Sequence, residues 1–291
     1  MASYYGRALR WAVMIRHLRP KPDMWGLFSA TAIGFAAIMI LGRPGELVRP
    51  YIIAEKERVS FSSQMAAWLL ERICDLLASL AIFAYALIRV GRSGAKVGPA
   101  LGLALAVGGY VAAIAALVAV TIILMLWRFP SQVERRLIDG LGFLPPRWSG
   151  KTAEIVRAFV SGVQLSGGPS GFLMLAATTV LEWGLICLCY FALFQSFPAM
   201  QGFGAADVFI LIGFVAFGSL VQLPGIGGGV QLVSAVVLTE IFHLPLEIAG
   251  SVALVIWIVT FVVIVPVGLI LLVRQGLNWR KLKEMKVERE A

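Results

Sequence analysis

The sequence predicts an all-α integral membrane protein with about four full transmembrane helices and two oppositely oriented re-entrant helical hairpins. Of its 291 residues, 59% are hydrophobic and only 14% are charged, whereas soluble domains average about 25% charged residues. The hydrophobic residues are concentrated in runs of the roughly 20 residues that a helix needs to cross a bilayer core of about 30 Å. Residues 1–273 are therefore expected to form a single membrane domain, followed by a basic tail at 274–291.

Uninterrupted apolar runs predict the four full spans, which lie at 66–90, 97–127, 169–195 and 246–273. Two other segments, 24–58 and 205–242, each contain an apolar arm, a breaker rich in glycine and proline, and a shorter second arm. Such a pattern predicts a re-entrant hairpin, because irregular backbone at membrane depth is tolerated only where protein or a water-filled cavity surrounds it.

Basic residues predict the orientation of these segments. The head (1–23), the loop 128–168 and the tail each carry several Lys and Arg side chains, and such segments stay on the cytoplasmic side. Four crossings with two re-entrant hairpins place all three segments inside, with both termini at the cytoplasmic face of the cytoplasmic (inner) membrane. If both hairpins crossed the membrane fully, the loop 128–168 would lie outside.

The predicted order also contains an inverted repeat. In the second half, helix 169–195, hairpin 205–242 and helix 246–273 follow one another, whereas in the first half only hairpin 24–58 and helix 66–90 are evident. We expect the helix before residue 24, which would correspond to helix 169–195, to be missing except for the basic residues at its end. Opposed broken segments in two halves of a transporter indicate a substrate site near the bilayer midplane.

Composition excludes several other functions. The net charge of +9 does not indicate nucleic-acid binding, because no basic stripe interleaved with aromatic residues occurs in a polar segment. Three cysteines within apolar runs and two histidines predict neither a disulfide framework nor a metal site. No cofactor and no catalytic residue are predicted.

Four stretches in a fixed order carry a family resemblance: the head Arg7-Ala8-Leu9-Arg10-Trp11, IGFAAIMILGRPGELVRPYII (33–53), LERICDLLA (70–78) and LPGIGGGVQ (223–231). Together they resemble the lysylphosphatidylglycerol synthase transmembrane-region family. These are flippase-like membrane proteins, which also form the membrane portion of lipid-aminoacylating enzymes. The resemblance covers residues 7–273 and implies lipid translocation. Because no aminoacyl-transferase domain follows residue 273, lipid synthesis is not expected.

Charged residues on the predicted helix 66–90 form the first part of the candidate substrate site. Glu71 and Asp75 share a helix face, and Arg72 is spaced to pair with Asp75. An uncompensated charge near the bilayer centre costs at least about 2.5–3.5 kcal/mol. We therefore expect either a salt-bridge clamp, in which Arg72 neutralises Asp75 or Glu71, or direct contact with substrate.

The two breakers and one further carboxylate complete the candidate substrate site. Around the first breaker, Arg43, Glu46 and Arg49 are predicted to face a lipid head group, the alternative being an ordinary interfacial charge cluster. Around the second breaker, a run of glycines can form an anion-holding nest before the next helix or merely a tight bend; its candidate residues are Gln222, Gly225, Gly227, Gly228, Gly229 and Gln231. Glu182, alone in helix 169–195, predicts a proton- or cation-coupling site or a neutral, hydrogen-bonded carboxyl group.

These features predict a lipid flippase or transporter for a phosphate-containing lipid, including aminoacylated or polyprenyl-linked lipids. Its partner would be a membrane phospholipid or glycolipid, and a lipid-modifying enzyme or a second copy of the chain remains open as a further partner. Two alternative functions also remain open. One is a membrane enzyme acting on a lipid phosphate, although the two breakers lack the serine of a phosphate loop. The other is a non-catalytic scaffold for a lipid-modifying enzyme.

Overall fold

The computed structural model describes residues 1–92, 129–140, 168–218 and 228–275, with scattered positions within 107–125 and 150–160. In these residues the regular structure is entirely helical. The α-helices are α1 (Ala2–Ile15), α2 (Met24–Leu41), α3 (Val48–Glu57), α4 (Phe61–Arg92), α5 (Pro130–Gly140), α6 (Gly168–Ser196), α7 (Ala205–Gly218), α8 (Gly229–Glu240), α9 (Leu246–Trp257) and α10 (Ile264–Arg274). Short 3-10 turns lie at Arg43–Leu47 and Pro198–Met200, and a π-helical segment, Ile258–Val262, connects α9 to α10.

Four helical segments of the described chain are long and apolar enough to cross a membrane: Met24–Leu41, Phe61–Gly91, Ser170–Ser196 and Leu246–Arg274. Three of them coincide with the spans predicted at 66–90, 169–195 and 246–273. The fourth is α2, the long arm of the predicted first hairpin. Most of the span predicted at 97–127, most of the loop 128–168 and nearly all of the tail lie outside the described residues.

The first predicted hairpin is formed by α2 and α3, which fold back on each other. Gly42 ends α2 with a φ of 70°, which only glycine adopts without strain. The arms lie so close that a Cβ atom added to Gly34 would be 2.6 Å from the Cβ atom of Arg49. At the open end, the backbone N–H of Asp23 donates to Glu57 Oε1 at 2.9 Å. The arms therefore pack along their whole length.

The second hairpin consists of α7 and α8, which pack against each other; its connecting residues, 219–227, are outside the described residues. Each hairpin lies against the helix that follows the other hairpin, with α2 against α10 and α7 against α4. A Cβ atom on Gly268 would lie 2.5 Å from the carbonyl oxygen of Ala32, and one on Gly213 would lie 3.1 Å from Ala86 Cβ. The first hairpin thus packs on a helix of the second half, and the second hairpin packs on a helix of the first half. The two halves therefore make equivalent contacts. Re-entry from opposite membrane faces stays a prediction.

The head of the chain forms a helix, although only the basic end of a helix was expected before residue 24. The 14-residue helix α1 packs against α6 and α2, and Arg10 and Trp11 on it are fully buried. The expectation that only a basic end is present is therefore wrong in part: a helix is present, but its 14 residues are fewer than the roughly 20 needed to cross a bilayer, and it is not one of the four candidate spans. The arginines of this segment suggested a basic loop at the membrane surface, whereas two of them project into the protein interior.

Candidate functional site

A single guanidinium group, that of Arg10, connects three helices at the centre of the candidate site. Its Nη1 donates to Asp75 Oδ1 at 2.7 Å, and its Nη2 donates to Glu71 Oε1 at 2.9 Å. The same Nη2 lies 3.1 Å from Glu182 Oε2. Glu71 and Asp75 are on α4 and Glu182 is on α6, so this one side chain joins α1 to both helices.

Two more arginines complete the pairing of these acids. Arg7 Nη2 lies 2.9 Å from Glu182 Oε1. Arg49 Nη1 lies 3.0 Å from each carboxylate oxygen of Glu71, and its Nη2 donates to the backbone carbonyl of Arg7 at 3.1 Å. The Arg49 guanidinium also stacks on the Trp11 ring, 4.1 Å from its centroid, which is a favourable cation–π geometry. The first hairpin is thereby tied to α1 and α4.

Arg72 is the outermost member of this group. Its Nη2 lies 3.5 Å from Glu71 Oε2 and 3.4 Å from Asp75 Oδ2, and its side chain is 40% exposed. The predicted pairing of Arg72 with these acids is thus observed, but its contacts are longer than those that Arg10 makes with the same acids. We call the whole group the ion cluster, and its members are Arg7, Arg10, Arg49, Arg72, Glu71, Asp75 and Glu182.

The ion cluster explains how acidic residues are accommodated in apolar helices. A buried carboxylate needs a compensating charge, because transfer out of water costs several kcal/mol per ion. Glu71, Asp75 and Glu182 each have a guanidinium nitrogen within 3.1 Å. For Glu182 the finding is an ion-paired carboxylate, which was not among the alternatives that the sequence suggested.

A cavity of about 80 Å³ opens beside the ion cluster, between the first hairpin, α1, α4 and the π-helical segment. Its polar lining residues are Tyr4, Glu46, Arg49, Glu71 and Arg72, and its apolar lining includes Phe35, Ile38, Trp68 and Phe261. Sites that enclose whole small molecules are typically about 300–1,000 Å³. In this conformation the cavity therefore has room only for a small charged group and not for an entire lipid head group.

The remaining predicted site residues lie elsewhere. Arg43 is exposed in the 3-10 turn and does not line the cavity. Asp75 and Glu182 belong to the ion cluster but do not line the cavity.

The second breaker can be described only at its end. Gln222, Gly225 and Gly227 are outside the described residues. Gly228 has a φ of 66° and caps α8, where Gly229 begins the helix and Gln231 is half-buried. None of these three residues lines the cavity. The predicted anion-holding nest stays a prediction.

Sequence reasoning missed three site residues, all on α1. Arg7 and Arg10 supply charges of the ion cluster, and Tyr4 lines the cavity. The Tyr4 hydroxyl donates to the carbonyl oxygen of Thr260 at 2.7 Å, within the π-helical segment, and such segments are frequent at functional sites. Arg7 and Arg10 are three residues apart, so they share a helix face. That spacing among apolar residues was the available signal.

Comparison with known proteins identified one family. A family model described as "Lysylphosphatidylglycerol synthase TM region" matches residues 1–268. The matched range includes both hairpins, the ion cluster and the cavity. No curated protein and no solved structure gives a significant match.

Proposed function

Because the chain belongs to the lysylphosphatidylglycerol synthase transmembrane-region family, we propose that it moves a phosphate-containing lipid from one membrane leaflet to the other. Family membership and the four long apolar helices make it a multi-pass membrane protein. In the proposed mechanism, the lipid head group enters the cavity beside the ion cluster while the acyl chains remain in the bilayer. We further propose that both termini are cytoplasmic.

The charged cavity is the observation that carries this proposal. Guanidinium groups of Arg49 and Arg72 and the carboxylate of Glu46 line one small space, in a protein with four long apolar helices. Guanidinium groups bind phosphate oxygens well, because their donors match the geometry of the anion. Glu46, on the hairpin turn, suits a positively charged amine of a zwitterionic or aminoacylated lipid.

Transport through this cavity requires a conformational change. A space of about 80 Å³ admits the phosphate or the amine but not a complete head group. The first hairpin provides one wall of the cavity, and the π-helical segment provides another, so separation of these elements would widen it. The described residues that line the cavity include no Ser, Thr, Cys or His, so the membrane-enzyme alternative would rely on Tyr4, Glu46 or Glu71.

The test measures lipid movement in proteoliposomes that contain fluorescent phospholipids, with an impermeant quencher added outside. The variant Ile38→Trp fills the cavity, and Ile40→Trp on the same helix is the matched control, because Ile40 is 44% exposed and does not line the cavity. We expect the wild type and Ile40→Trp to move lipid and Ile38→Trp to lose most of that activity while eluting as a folded protein.

Other results would overturn the proposal. A wild-type protein that moves no member of a broad lipid panel contradicts transport, and so does a folded Ile38→Trp variant with wild-type activity. Release of phosphate from labelled lipid without movement would instead favour the membrane-enzyme alternative. A protein that neither moves nor hydrolyses lipid would favour the scaffold.

A further inference from the structure

The ion cluster contains one more positive charge than negative charges. Its cations are the four guanidinium groups of Arg7, Arg10, Arg49 and Arg72, and its anions are the three carboxylates of Glu71, Asp75 and Glu182. No other carboxylate of the described residues lies within 4.0 Å of these guanidinium groups. The ion cluster therefore has an excess positive charge, which favours binding of an anion.

Geometry identifies Arg72 as the cation with the weakest pairing. Each of the three acids already has a contact of 2.7–3.1 Å with Arg7, Arg10 or Arg49, the shortest being Arg10–Asp75 and the longest Arg10–Glu182. One additional contact, Arg7–Asp75, is 3.6 Å long, but Arg7 also has a 2.9 Å contact with Glu182. Arg72 has no contact as short as these, because its two contacts are 3.4 and 3.5 Å long. The Arg72 side chain is also 40% exposed, against 16% for Arg7 and 0% for Arg10.

Unused hydrogen-bond donors lie in the same place. Arg49 and Arg72 are the two cation-bearing residues of the cavity lining, and the buried Nε of each has no hydrogen-bond partner among the described residues. Arg49 is only 5% exposed. A buried donor without an acceptor is destabilising, so an anion with several oxygen atoms would satisfy groups that the protein leaves unpaired.

We propose that Arg72 binds the phosphate of the lipid, with Arg49 as a second donor, and that Arg7 and Arg10 serve only to hold the acidic residues. This inference rests on the proposed function and names the anion-binding residue of its site. Arg72 can turn to the phosphate because Glu71 remains paired with Arg10 and Arg49, and Asp75 remains paired with Arg10. The ligand class is therefore a phospholipid with an accessible phosphate, and a lipid without an anionic group gains nothing from this site.

The test measures binding of short-chain phosphatidylglycerol and short-chain diacylglycerol to the purified full-length protein in detergent. The variants are Arg72→Gln, Arg72→Lys and the matched control Arg89→Gln, which removes the same charge from an exposed position of the same helix. We expect Arg72→Gln to weaken phosphatidylglycerol binding about tenfold or more, the loss typical of a hydrogen bond to a charged group. Arg72→Lys should restore part of that loss, and Arg89→Gln should bind as the wild type does.

Diacylglycerol binding and thermal unfolding are the readouts that a merely structural role would move. Both should be nearly unchanged in Arg72→Gln. Wild-type affinity of Arg72→Gln for phosphatidylglycerol would overturn the inference. So would an equal loss of affinity for both lipids, a fall in thermal stability as large as that of Arg10→Gln, or failure of Arg72→Gln to fold.

Binding and movement are measured separately so that the two proposals can fail independently. Binding that depends on Arg72, in a wild-type protein that moves no lipid, would contradict transport and support the anion site. Lipid movement that Arg72→Gln leaves unchanged would support transport and contradict the anion site.

Discussion

Arg10 Nη2 and Glu71 Oε1 form a 2.9 Å hydrogen bond between two side chains that are almost completely shielded from solvent. This bond joins α1 to α4 at the point where the first hairpin, through Arg49, also contacts Glu71. The carboxylate of Glu71 is therefore shared by three elements that are distant in the sequence. Loss of one partner leaves the others with an unbalanced buried charge.

The first prediction concerns this shared pairing. Arg10→Gln should destabilise the protein by about 3–5 kcal/mol, because removal of one partner from a buried ion pair leaves the other charge uncompensated. Arg16→Gln, at an exposed position just beyond the end of α1, is the control and should have little effect. Thermal unfolding in detergent measures the difference. Equal stability of the two variants would show that Arg10 does not hold the buried acids.

The ion cluster also shows what the sequence could and could not indicate. Glu71, Arg72 and Asp75 were recognisable because charges are rare within a long apolar run. Their partners on α1 were not, because arginines near the start of the chain are also typical of cytoplasmic loops. The ambiguity is physical: a surface arginine and a buried, paired arginine have the same local sequence signal, and only the distant acids distinguish them.

The second prediction concerns the close contact within the first hairpin. Gly34→Ala should separate α2 from α3, because the added Cβ atom would lie 2.6 Å from Arg49 Cβ. Gly184→Ala is the matched helical control, since a Cβ atom there meets nothing within 4 Å. Alanine favours helix by about 1 kcal/mol over glycine, so the control should unfold at the same or a slightly higher temperature, and Gly34→Ala at a lower one. A Gly34→Ala variant as stable as the control would contradict the packing of the hairpin.

The pairs of helical arms at 24–58 and 205–242 were predictable because a cluster of glycine and proline separates the two arms in each segment. Their packing partners were not, since α2 contacts α10 and α7 contacts α4, across most of the chain. Contacts such as that of Gly268 with Ala32 depend on which helices meet, and hydropathy alone carries no information on that. The exchange of partners between the two halves therefore emerged only from the structure.

The third prediction concerns the contact between α1 and the π-helical segment. Tyr4→Phe removes the hydrogen bond that the Tyr4 hydroxyl donates to the Thr260 carbonyl and should cost about 1 kcal/mol of unfolding free energy. Tyr5→Phe is the control, because the Tyr5 side chain is 48% exposed and its hydroxyl has no acceptor among the described residues. Unfolding of both variants in detergent gives the comparison. A larger loss in Tyr5→Phe would contradict this assignment.

The fourth prediction concerns membrane orientation. On a background in which Cys74, Cys187 and Cys189 are replaced, Gly150→Cys should react with a permeant thiol reagent and resist an impermeant one added to intact cells. The basic residues of 128–168 are the reason, since loops rich in Lys and Arg stay on the cytoplasmic side. A second cysteine at Ala291 should behave in the same way. Labelling of Gly150→Cys by the impermeant reagent would overturn the predicted topology.

The fifth prediction concerns Glu46, the carboxylate on the turn of the first hairpin that lines the cavity. Among the described residues it has no ion-pair partner, unlike the acids of the ion cluster, so its charge is available to an amine on the ligand. Glu46→Gln should therefore slow the movement of lipids that carry a positive group more than the movement of phosphatidylglycerol. The assay is leaflet exchange in proteoliposomes, with Glu55→Gln, an exposed position of α3, as the matched control. Equal slowing of both lipid classes would indicate that Glu46 has a structural role in the hairpin. Loss of a carboxylate that binds an amine should instead slow mainly the lipids that carry a positive group.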